Sequence, residues 1–63
     1  MTTYIEYGHV KGSKKYNRKQ ALTRIKDLLK NDDDILNGRK INQISDDDLI
    51  EIGFNHYGFE EEM

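Results

Sequence analysis

The stretch from Asn17 to Lys30 restricts the fold more than any other part of the chain. Asn17 is a residue type that accepts hydrogen bonds from the free N–H groups of a first helical turn. Gln20 stands three residues on, where its side chain reaches back, and Tyr16 is placed to staple onto Ala21. Ala21, Leu22, Ile25, Leu28 and Leu29 then recur on one stripe. The spacing predicts an amphipathic helix over 18–30, with Leu22, Ile25, Leu28 and Leu29 in the core. Lys30 suits the negative end of the helix dipole, and Asn31 tolerates the conformation of a helix stop.

A helix with one apolar stripe needs a second surface to cover it. In a chain of 63 residues, 35% of them hydrophobic, that surface is small. Folding at this size buries only about 60% of the area the unfolded chain exposes, so the stability margin is thin. With no Cys there is neither a disulfide framework nor a thiolate metal site, and a reducing, cytoplasmic setting is expected. No apolar run approaches the roughly 20 residues that span a bilayer, and the first residues lack the apolar stretch of a signal peptide.

The flanks of the helix predict the rest of an α+β fold. Thr2 to Val10 is rich in β-branched and aromatic residues and reads as an N-terminal strand or the first arm of a hairpin, followed by a turn at Lys11-Gly12-Ser13. Asp32 to Asn37 reads either as a short helical turn closed by Gly38 or, with Asn37-Gly38, as a hairpin turn. The apolar runs beside it are too short for a hairpin, so a helical turn near 33–37 is expected, with 39–44 extended. Ser45 opens a second helix, about 46–52. Ser45 caps it, Asp48 stands at the reciprocal capping position, Ile44 is placed to staple onto Leu49, and Gly53 ends it. Residues 53–59 carry Phe54, Tyr57 and Phe59 and are expected to pair with the N-terminal strand, leaving 60–63 as a disordered tail. No linker interrupts the chain, which reads as one domain over 1–63.

Between Ile35 and Phe54 an apolar-Gly turn (Ile35, Gly38), an apolar residue (Ile44), a capped acidic helix start (Ser45 to Asp48), an apolar pair (Leu49-Ile50) and a Gly-apolar step (Gly53-Phe54) follow in order. This segment, about a third of the chain, resembles one stretch of sterile-alpha-motif domains. Only residues 55–63 follow Phe54, too few for that family's long final helix, so no function is carried over.

Charge divides the chain. Residues 1–30 hold eight basic groups against two acids, a net of +6, while residues 31–63 hold two basic groups against ten acids, a net of −8. Such asymmetry points to charged partners. The motifs give catalysis no support. His9 and His56 belong to no metal-ligand spacing, and the calcium-loop pattern begun by Asp32 and Asp34 fails at Leu36, Asn37 and Gln43. Ser13 and Ser45 have no patterned base, and Lys11-Gly12-Ser13-Lys14 is not a phosphate loop. No enzyme activity, cofactor or metal is therefore expected.

Two binding surfaces remain. Glu51, Phe54, Tyr57, Phe59, Glu60 and Glu61 mix carboxylates that steer with aromatics that anchor, which suits docking on another protein with a basic surface. Small acidic accessory proteins of phages and mobile elements, which inhibit host nucleases or polymerases, are similar in composition. The alternative is nucleic-acid binding by Lys11, Lys14, Lys15, Tyr16, Lys19, Lys26 and Lys30. In it the helix lysines form a ridge about 16 Å long that follows phosphates, and Tyr16 stacks on a base. Solvated helix faces explain the same lysines, and helix starts explain both Asp triplets. The net charge of −2 favours the protein-binding reading, and the oligomeric state is left open.

Overall fold

The fold is that of a computed structural model describing residues 2–9 and 12–62. Strands β1 (Thr3–His9) and β2 (Gly12–Asn17) precede helix α1 (Arg18–Leu29), a short helix α2 (Asp33–Leu36), a 3₁₀ turn at Ile41–Gln43, helix α3 (Asp46–His56) and strand β3 (Phe59–Glu62). The α+β class holds. The three strands form one antiparallel sheet in the order β2-β1-β3.

Local chemistry sets the helix starts. The Asn17 side chain accepts from the Gln20 N–H at 2.8 Å while the Gln20 side chain accepts from the Asn17 N–H at 3.0 Å, completing the expected box. Ser45 Oγ accepts from the Asp48 N–H at 3.2 Å, and Asp46, Asp47 and Asp48 occupy the positive end of the α3 dipole.

Packing sets the rest. Tyr4, Ala21, Ile25, Leu29, Leu36, Ile44, Leu49, Ile50 and Phe59 form the buried core, so α1 and α3 cover one face of the sheet. Leu22 and Leu28, expected inside, are half-buried at its rim. Successive residues of β1 alternate: Tyr4 and Glu6 are buried toward the helices, while Ile5 is half-buried and Tyr7 exposed on the other face.

Several boundaries differ from expectation. Ser13, expected in a turn, lies in β2, an edge strand held by pairing with β1 despite its polar sequence. Lys11 lies outside the described residues. Residues 41–43 are a 3₁₀ turn rather than extended, because the Lys40 carbonyl accepts from the Gln43 N–H at 2.9 Å and the Gln43 side chain accepts from the Lys40 N–H at 3.2 Å. Gly53 does not end α3, which continues to His56 and stops at Tyr57 before Gly58 turns the chain with φ of 69°. Gly53 is instead a packing position: a Cβ there would stand 2.6 Å from Ile25 Cδ1 and 3.3 Å from Phe59 Cδ1. Glu60–Glu62, expected as disordered tail, are strand, paired with Thr3–Ile5 and anchored by buried Phe59.

Candidate functional site

The acidic and aromatic residues assemble around the β3 edge. Phe54 projects from α3 and is 39% exposed, and Tyr7 projects from β1 and is 48% exposed. Among the described residues these are the large hydrophobic side chains left in solvent. Both line one groove with Gly58, Phe59, Glu60 and Glu61. The Phe54 ring lies 6.2 Å from that of buried Tyr4, which holds it in place from below. Neither Glu60 nor Glu61 has an ion-pair partner among the described residues, so both carboxylates are available to a ligand.

Two expected members lie elsewhere. Glu51 faces a separate hollow with Arg39, Asp48, Ile52 and Asn55. Tyr57 is half-buried and donates its hydroxyl proton to Asp32 Oδ2 at 3.1 Å, tying the end of α3 to the α1–α2 connection. Burial, reinforced by that hydrogen bond and the Asp32 charge, pushes the Tyr57 hydroxyl up to about 12. A folded value raised above the unfolded one of about 10 contributes stability that is complete below pH 10 and lost as pH rises toward 12. The urea midpoint is therefore expected to fall across that window, and to fall less steeply in Tyr57→Phe.

The lysines gather on the opposite edge. Lys15 and Tyr16 of β2, Lys19, Thr23 and Lys26 of α1 and Lys30 at its C-terminal cap line a second groove, with Gln20, Arg24, Asp27 and Ile41 also at its walls. Lys19, Lys26 and Lys30 have no ion-pair partner among the described residues, whereas Lys15 meets Glu62 at 3.3 Å across the sheet. Lys14 is exposed in β2 at the register position opposite Glu6, outside this groove. Tyr16 is not free to stack on a base. Its hydroxyl donates to Glu6 Oε1 at 2.9 Å and its ring packs 5.9 Å from Phe59.

Glu6 is the polar residue that sequence reasoning missed. It is buried among the helix-facing side chains, and Arg24 grips its carboxylate with Nε at 3.0 Å and a second nitrogen at 3.3 Å. The hydrogen bonds to Glu6 raise the Arg24 guanidinium, and burial together with Glu6 raises the Tyr16 hydroxyl. Its position in phase with Tyr4 on β1 was the available signal. This cluster braces β1, β2 and α1, and with Arg18 bonded to Asp47 at 2.8 Å it pins the basic helix to both neighbours.

No three His, Cys, Asp or Glu side chains converge as a metal site among the described residues. No described helix is long and apolar enough to cross a membrane. Comparison of the chain with protein-family models, with curated proteins and with solved structures finds no match.

Proposed function

We propose that this protein is a non-enzymatic interaction protein that binds another protein through the groove at β3, acting as an acidic inhibitor of a nucleic-acid-binding enzyme. One observation carries the reading: the exposed Tyr7 and Phe54 border the same groove along the β3 edge as the unpaired carboxylates of Glu60 and Glu61. Exposed aromatics flanked by uniform charge are the composition of an interface anchor with a steering rim. The partner surface that complements them is apolar at its centre and basic around it, the character of a protein that itself grips phosphates.

The test is capture from a nuclease-treated lysate of the native cell by wild-type protein and two variants, followed by mass spectrometry and rate measurements on the captured protein. Glu60→Lys with Glu61→Lys is expected to slow association, most strongly at low salt, and Phe54→Ala to speed dissociation. Glu51→Lys, in a separate hollow, is expected to change the rates less. Equal capture by wild-type and groove variants would overturn the reading.

The basic groove favours one second reading, nucleic-acid binding along α1, because three unpaired lysines share one face. The net charge of −2 and the engagement of Tyr16 by Glu6 place it behind the first. If it holds, wild-type protein shifts DNA or RNA at about 50 mM salt, and Lys19, Lys26 and Lys30 changed to Gln reduce the salt slope by roughly one unit per lost phosphate contact.

A further inference from the structure

The two oppositely charged grooves run along the two outer edges of one sheet. The order β2-β1-β3 leaves β2 and β3 each with one unpaired side, and since both are antiparallel to β1 they are parallel to each other. The Tyr7 N–H donates to the Gly58 carbonyl at 3.0 Å. By the alternation of an antiparallel ladder, Glu60 and Glu62 then turn their backbone groups toward β1, while Phe59 and Glu61 turn theirs to the open edge. The same alternation aims Tyr4 and Glu6 at Tyr16 and Lys14, so Ser13 and Lys15 present their backbone groups at the other edge.

The side chains of the two edges match on both faces of the sheet. On the helix-covered face β3 offers Phe59 and Glu61, and β2 offers Lys14 and Tyr16. On the other face β3 offers Glu60 and Glu62, and β2 offers Lys15. Helix α1, with Lys19 beside the β2 edge, packs over β2, and α3, with Phe54 beside the β3 edge, packs over β3. Like edges repel, because β3 against β3 sets glutamates on glutamates and β2 against β2 sets lysines on lysines.

We propose that the β2 edge of one copy docks on the β3 edge of another, continuing the sheet in parallel with all helices on one side. Lysine then meets glutamate on both faces of the joint, Lys15 turning from Glu62 of its own copy to the glutamates of the next, and the α1 lysines of the incoming copy lie beside Phe54. The joint uses two different surfaces, so it does not close on itself, and strand twist carries successive copies into an open helical row. The proposal is independent of the partner reading, although both use the β3 edge, and a basic partner seated there caps the row.

Sedimentation of the purified protein from micromolar to millimolar concentration tests it. The average mass is expected to rise continuously without a plateau at two copies, and to fall back toward the monomer between about 0.05 and about 0.5 M salt. Lys15→Glu with Lys19→Glu makes both edges acidic, and Glu60→Lys with Glu61→Lys makes both basic. The Lys15–Glu62 pair that the first variant removes is exposed on both sides, 63% and 41%, so its loss costs the fold little. Each variant, with a far-UV dichroism spectrum like the wild type, is expected to remain monomeric alone. An equimolar mixture is expected to regain growth beyond two copies, because each altered edge now meets its opposite. A wild-type mass that stays monomeric at low salt, a wild-type mass that stops at a dimer, variants that associate as the wild type does, or a mixture that stays monomeric would each overturn it.

Discussion

Ile25→Ala and Leu29→Ala are each expected to lower the free energy of unfolding by about 2–5 kcal/mol, the range for removing a fully buried aliphatic side chain from a packed core. Both residues have no solvent exposure, and Ile25 stands where α1 meets Gly53 of α3 and Phe59 of β3. A small domain has only about 5 kcal/mol in hand, so either variant approaches complete loss of the folded state. Urea denaturation followed by far-UV dichroism reads the effect, and midpoints equal to the wild type would sink the packing described for α1. The same contact supplies a sharper check. Gly53→Ala is expected to destabilise despite its better helix propensity, because the added methyl group would lie 2.6 Å from Ile25 Cδ1. Ile25→Val deletes that carbon, so the double variant is expected to lose less stability than the two single losses added together.

Arg24→Met is expected to cost about 2–4 kcal/mol, toward the lower part of the range for breaking a buried ion pair because the arginine side chain is 33% exposed. The change leaves the Glu6 carboxylate, 8% exposed, inside the fold without the guanidinium that held it at 3.0 Å. Glu6→Leu is expected to cost less, since the arginine it leaves behind reaches water and keeps Asp27 at 3.8 Å. Glu6→Leu combined with Arg24→Met leaves no buried charge and is expected to be more stable than Arg24→Met alone, by the same denaturation measurement. A double variant less stable than either single one would show that the pair stabilises by more than mutual neutralisation.

The elements legible in the sequence are those whose causes lie close together along it. Helix α1 carries its cap, box and stripe within residues 17–29; the cap and box stand as expected, and the stripe is buried at Ile25 and Leu29 while Leu22 and Leu28 sit at its rim. The start of α3 is equally local, whereas its end is not: Gly53 reads as a stop because the Ile25 side chain that requires its missing Cβ is 28 positions away. Strands β2 and β3 were obscured by their charges. Lysines and glutamates are poor strand formers taken alone, yet they are what an edge strand carries once a central neighbour supplies the pairing. At the groove, Phe54, Phe59, Glu60 and Glu61 come together as the composition suggested, and Tyr7 joins them only because β1 and β3 are adjacent. Tyr57 lies outside the groove for the converse reason, since its hydroxyl is held by Asp32, 25 positions earlier in the chain.

Strand β1 precedes the other described elements and β3 follows them, and Thr3 sits beside Glu62 in the sheet. During synthesis the β1–β2 hairpin and α1 are able to form early, from neighbouring contacts. The central strand must then wait, one side bare, until Phe59 to Glu62 leave the ribosome. Phe59 completes the core in the same event that brings Glu60 and Glu61 alongside Tyr7. The acidic groove therefore forms only when β3 pairs with β1: a nascent chain halted before Phe59 has its basic helix but not the glutamates that stand beside Tyr7.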